Sequence, residues 1–141
     1  MTPARGRDWL DANLPHRGEM NLLERIVRWD ETTIDGVATS HQSGRNPLRR
    51  GAAVPIVAGI EYGAQAAAAH GALVSGRPSA DGFLASIRDV RFHAQALDAT
   101  QPIEVHAEQL ATSEAGVLYR FRVCASGRAL VEGRLTVAFI P

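Results

Sequence analysis

The chain has 141 residues, 45% hydrophobic and 21% charged, and its fifteen basic residues balance fifteen acidic ones to a net charge of zero. That size fits one domain with its own core, and the neutral balance argues against nucleic acid as a partner while favouring self-association. A single cysteine, Cys124, excludes a disulfide framework and a cysteine-built metal cluster.

The first fifteen residues, MTPARGRDWLDANLP, lack the apolar run of a signal peptide, so a soluble cytoplasmic protein is expected. Within them Asp8–Asn13 predicts one short helical turn, closed by Leu14-Pro15. Asn21–Trp29 carries Leu23, Ile26, Val27 and Trp29 in an imperfect strand pattern, and Thr32–Ser40 is β-branched and alternating. His41–Ala53, HQSGRNPLRRGAA, reads as a loop from its Gly, Asn, Pro and Ser content.

Val54–Val74, VPIVAGIEYGAQAAAAHGALV, is the most telling stretch. Pro55 suits the first turn of a helix, and the alanines favour helix to about Val74. The segment is long enough to span a bilayer, but Glu61, Gln65, His70, Pro55 and the glycines oppose that. Glu61 sits among Ile56, Ile60, Ala64 and Ala67, where a carboxylate is costly unless it has a function, and Gln65 lies four residues on, on the same face. An acid in such a setting suits proton transfer near neutral pH. The alternative is a surface helix with a polar stripe turned to water. Gly59, Gly63, Gly71 and Gly76 each weaken a helix, which predicts that other backbone wraps it closely.

Beyond a loop at Gly76–Gly82 come four strand-like segments, Phe83–Ala94, Ile103–Ala111, Val117–Ala125 and Ala129–Ile140. Ser113–Gly116 and Ser126-Gly127 are hairpin signals, and Leu118, Arg120, Arg122 and Leu130, Glu132, Arg134 alternate as in a half-buried sheet. No repeat or linker divides residues 1–141. One long helix cannot cover six strands as a separate layer, so the pattern predicts an α+β domain with a curved antiparallel sheet wrapped around a central helix.

Two motifs then resemble a known family. Leu14-Pro15-His16-Arg17-Gly18-Glu19-Met20, followed by Leu22-Leu23-Glu24-Arg25, is similar to the LPHR-x-x-M/F-x-LL-x-R pattern of bacterial β-hydroxyacyl-acyl-carrier-protein dehydratases. Val54-Pro55 with Gly59-Ile60-Glu61-Tyr62-Gly63-Ala64-Gln65-Ala66 resembles their central helix, whose catalytic acid stands in an E-x-x-A-Q context. The wording is closest to the ApeP-like branch, associated with aryl-polyene-type pathways. The resemblance implies the hotdog fold and a lyase that dehydrates a 3-hydroxyacyl thioester on acyl carrier protein to a trans-2-enoyl thioester, in fatty-acid or aryl-polyene-type biosynthesis. It implies a homodimer with sites at its interface, and no metal or cofactor.

Such an elimination needs a base for the C2 proton, an acid for the departing hydroxyl and donors for the thioester oxygen. The resemblance makes Glu61 the acid. It places backbone N–H groups near Ile56 and Val57 against the thioester oxygen, with Gln65 orienting Glu61 or a water. Related dehydratases carry a His fourteen residues before the acid; here that count lands on Pro47, beside Asn46, which is grouped with the substrate-binding residues. His41 and His16 are the two candidate bases, and His70, His93 and His106 are read as structural or exposed. Tyr62, Phe83 and Phe92 are candidates for setting pocket width. Arg45, Arg49 and Arg50 form a candidate docking patch for an acidic carrier protein. Two alternatives stand beside the dehydratase: a hotdog acyl thioesterase, and a non-catalytic acyl-binding partner subunit.

Overall fold

The computed structural model describes residues 4–16, 18–78 and 82–139. Arg17 of the first motif, the loop residues 79–81, Ile140 at the predicted end of the last strand, and the side chain of Phe83 lie outside the described residues.

A short helix, α1 (Arg7–Asn13), opens the chain; β1 (Arg25–Trp29) and β2 (Thr33–Ala38) follow; a 3-10 turn at Ile56–Ala58 leads into the central helix α2 (Gly59–Ser75). Four long strands complete it: β3 (Gly82–Phe92), β4 (Ile103–Ser113), β5 (Gly116–Ala125) and β6 (Arg128–Phe139). All pair antiparallel in one sheet of order β1-β2-β4-β5-β6-β3. α2 packs against β2, β4, β5 and β6, so the sheet curls round it as the hotdog architecture requires.

Local chemistry explains most boundaries. Inward positions Tyr119, Phe121 and Val123 of β5 are buried while Arg120 and Arg122 face water, the period of a one-sided sheet. Ser126 and Gly127 both take positive φ, 48° and 75°, as a tight two-residue hairpin between β5 and β6 demands. α2 ends at Gly76 in the left-handed conformation, φ 70°, its N–H bonded to Ala72 O. No helix among the described residues is long and apolar enough to cross a membrane.

The first strand is shorter than its sequence pattern predicts. Residues 21–24 belong to no strand, and the carbonyls of Asn21, Leu22 and Leu23 are met by side chains rather than by a neighbouring strand. Arg7 donates to Asn21 O (2.5 Å), Leu23 O (3.0 Å) and Gly18 O (2.8 Å), and Ser40 Oγ donates to Leu22 O at 2.7 Å. Regular pairing begins only at Arg25.

Close wrapping accounts for two of the four glycines. A Cβ on Gly59 would meet Val131 Cγ1 at 2.5 Å, and one on Gly63 would meet the Phe121 ring at 2.6–2.8 Å. Gly71 has nothing within 4 Å, and Gly76 caps the helix. Gly63→Ala should therefore lose stability, because overpacking costs roughly 1–3 kcal/mol against a helix gain of at most about 1 kcal/mol. Gly71→Ala should gain up to about 1 kcal/mol. Urea denaturation of the pair checks this, and equal stability of the two variants would contradict the close packing of Gly63 on Phe121.

Candidate active site

Glu61 lies in the first turn of α2 and is half-buried, less enclosed than its apolar sequence neighbours predict. Among the described residues its carboxylate makes no hydrogen bond or ion pair. It lies on the outer stripe of the helix with Val57, Ala64 and Ala68, none of them fully buried, whereas Tyr62, Gln65, Ala66 and Ala69 face the core.

Gln65 is 1% exposed and its amide is committed elsewhere than to Glu61. Its Oε1 accepts the Leu22 N–H at 2.9 Å and its Nε2 donates to Met20 O at 2.6 Å. The two motifs recognised in the sequence thus touch each other through this side chain, which pins the N-terminal segment onto the helix one turn beyond Glu61.

A second polar cluster holds the loop before the helix. Ser40 Oγ donates its only hydrogen to Leu22 O, so the Tyr62 hydroxyl donates to Ser40 Oγ, 2.7 Å away. Tyr62 in turn accepts from Asn46 Nδ2 at 3.0 Å. Burial raises the pKa of the Tyr62 hydroxyl and keeps it protonated as the donor. Asn46 also donates to Ser40 O (2.9 Å) and accepts from Leu48 N (2.8 Å). Both amide hydrogens of Asn46, the candidate substrate-binding residue, are therefore used inside the protein. Tyr62 is likewise a core anchor, and Phe92, 50% exposed, lies at the end of the edge strand β3.

The candidate bases differ in setting. His41 is 1% exposed, and its Nε2 lies 2.8 Å from both Asp98 O and Gln101 O. Two carbonyls fix the proton on Nε2 and leave the lone pair on Nδ1, which is buried without a partner among the described residues. His16 is half-buried between α1 and the 3-10 turn Gly18–Met20, and its Nδ1 also lacks a partner among the described residues. The other three histidines are structural or paired. His70 is fully buried; burial lowers its pKa, and the neutral ring donates from Nε2 to Asp30 O (2.9 Å) and accepts the Tyr119 hydroxyl at Nδ1 (2.8 Å). His93 pairs with Glu132 at 2.8 Å, and His106 pairs with Asp35.

The backbone donors narrow to one. Ile56 N–H is engaged by Gln95 O at 3.0 Å and Ala58 N–H by Pro55 O at 3.0 Å, which removes Ile56 as a donor to the thioester oxygen and leaves Val57, 57% exposed beside Glu61. The arginines of the candidate docking patch divide as well. Arg49 is a loop brace, donating to Ser43 O (3.0 Å), Ala52 O (2.9 Å) and His41 O (3.2 Å). Arg45 is exposed and pairs with Glu19 at 2.9 Å, and Arg50 is exposed, its guanidinium donating to Pro47 O and Arg49 O. No group of three or more potential metal ligands occurs among the described residues.

Sequence reasoning missed Ser40 and Arg7, whose roles are visible only once distant backbone carbonyls are brought to them. A buried Gln on an apolar helix face was a signal for the Gln65 anchor, since a buried amide requires partners.

Comparison with known proteins fits this geometry. No curated protein matches the sequence. One chain of the dehydratase heterocomplex ApeI:P from Xenorhabdus doucetiae superposes with a TM-score of 0.81 at 23% identity, covering 94% of this chain and 91% of that one. A thioesterase of Haemophilus influenzae gives 0.61 at 11% identity (84% and 78% covered). A virulence protein of Campylobacter jejuni gives 0.63 at 12% identity (94% and 89% covered). Those likenesses establish the fold; the ApeP-like family, described as ApeP dehydratase, matches residues 10–140. The chain belongs to the ApeP-like dehydratase family.

Proposed function

We propose that the chain dehydrates a 3-hydroxyacyl thioester carried on acyl carrier protein to the trans-2-enoyl thioester, in fatty-acid or aryl-polyene-type biosynthesis. The observation that carries this reading is Glu61: an unbonded, half-buried carboxylate in the first turn of the central helix of a dehydratase-family chain. In the proposed reaction a base takes the C2 proton, the Val57 N–H receives the charge that builds on the thioester oxygen, and Glu61 hands a proton to the departing 3-hydroxyl. His16 is the better candidate base, because the residue is partly exposed whereas His41 is enclosed. Separate His16→Ala and His41→Ala variants test this: the base loses activity on the scale of Glu61, and the other histidine little.

Assembly as a homodimer belongs to the same reading. β3 is an eleven-residue edge strand paired, among the described residues, only with β6, and Ile87 and Phe92 on it are 44% and 50% exposed. An edge of that length invites pairing with a second sheet. Sedimentation at micromolar concentration should give a dimer, and a stable monomer would count against it.

Carrier protein docking is proposed for Arg45 and Arg50, without Arg49. Changing Arg45 and Arg50 to Glu should raise KM about tenfold for carrier-bound substrate and leave a short thioester analogue nearly unaffected, since rim charges act on encounter. Equal losses for both substrates would contradict the docking role.

The non-catalytic alternative is favoured by one feature, the Asn46-Pro47 pair at the place where related dehydratases carry the histidine, with Asn46 engaged internally. The similar ApeI:P protein is a heterocomplex, so a partner dehydratase would then supply the chemistry. Incubating the purified chain alone with a 3-hydroxyacyl carrier protein separates the readings. Loss of one water supports dehydration, release of free acid supports a thioesterase, and no change supports the partner subunit.

A further inference from the structure

The outer face of the sheet, opposite α2, carries a row of arginines. Across adjacent strands Glu108 faces Arg120, Arg120 faces Arg134, and Arg134 faces Arg88. Like charges directly opposite one another weaken a sheet. Only Arg120 is well paired, with Glu108 at 2.9 Å. Arg134 has Asp89 at 3.9 Å, and the Arg88 guanidinium, also exposed, makes no hydrogen bond or ion pair among the described residues.

Arg88 and Arg134 open into a cleft of about 280 Å³. Four hydroxyl residues, Ser86, Thr136, Thr112 and Ser113, share its lining, Leu118 gives it an apolar wall, and no carboxylate lines it. The cleft lies where the ladder is irregular. β3 breaks register between Leu84 and Ser86 and again between Arg88 and Arg91, and β4 breaks between Gln109 and Ala111. Bulges bend a strand and re-aim its side chains. At the second one Asp89 takes φ 54°, and Gly133 opposite admits Val90, whose Cα would lie 3.0 Å from an added Cβ. A positive φ on a non-glycine residue and a glycine-dependent close approach both serve to shape this spot.

We infer that this cleft is an anion site, separate from the Glu61 site, for inorganic phosphate or the phosphate group of a small monoester. Two guanidinium groups supply charge and forked donors, and the Ser86 and Thr136 hydroxyls, opposite each other on the same face as Arg88 and Arg134, supply neutral donors, as phosphate oxygens require. The volume, about 280 Å³, exceeds that of a phosphate ion and leaves room for the organic part of a small monoester. A bound dianion would also relieve the repulsion in the arginine row.

Titration calorimetry at fixed ionic strength tests this with inorganic phosphate and with glycerol phosphate as probes. The intact protein should bind one equivalent saturably with Kd about 1 mM or tighter, and the R88Q/R134Q double variant at least about tenfold more weakly. Tighter binding of the ester assigns the site to esterified ligands, and tighter binding of inorganic phosphate assigns it to the free ion. In phosphate-free buffer the double variant should melt no lower than the parent, and phosphate should raise the melting temperature of the parent alone. Absence of saturable binding, or binding unchanged in the double variant, overturns the proposal. So does a face that binds an acidic carrier protein but neither phosphate probe, which would make it a protein-docking surface.

Discussion

Glu61→Gln should lower turnover by roughly 10²- to 10⁴-fold, the usual worth of a positioned proton donor or acceptor. The substitution keeps size and hydrogen-bonding capacity and removes only the exchangeable carboxyl proton. Because Glu61 is half-buried and bonds nothing among the described residues, the variant should fold normally and melt within a degree or two of the parent, an order-of-magnitude expectation for a surface-like change. Steady-state kinetics beside a thermal melt checks both halves. Near-full activity in a folded Glu61→Gln protein would make Glu61 a solvated residue of the helix's outer stripe, the alternative that the sequence also allows.

Gln65→Leu should act oppositely, on stability first. It leaves the buried Leu22 N–H and the Met20 carbonyl without their partners. An unsatisfied buried group costs about 1–3 kcal/mol, so the total loss should be on the order of 2–5 kcal/mol, enough to unfold a marginal domain. Urea denaturation reads the loss as a lower midpoint at unchanged slope. Gln65→Glu keeps an acceptor for Leu22 N–H and should retain part of the lost stability. If Gln65→Leu costs under about 0.5 kcal/mol, the amide is not the anchor between the two motifs.

These two residues mark what the sequence could and could not reveal. The helix was legible because Pro55 and the alanines act locally, and the hairpins because Ser126-Gly127 and Ser113–Gly116 are local turn chemistry. Glu61 stood out because a carboxylate in an apolar run is locally anomalous. The partners of Gln65 were illegible because they are backbone groups 43 and 45 residues away. For the same reason Arg49 read as part of a docking patch, although three carbonyls hold it. Ile56 read as a free helix-end donor until Gln95 folded back onto it. The place of β3 beside β6, at the far edge from β1, also depends on tertiary closure around α2 that no single segment encodes.

The central claim, that this chain moves water across the C2–C3 bond of an acyl thioester through Glu61, is tested most directly in the reverse direction. The purified protein is given a trans-2-enoyl carrier-protein thioester in heavy-oxygen water, and the product is fragmented in a mass spectrometer. The account predicts the heavy oxygen in a 3-hydroxyl group on an intact thioester, and its loss in Glu61→Gln. Heavy oxygen in a released carboxylic acid, or none incorporated at all, would contradict it.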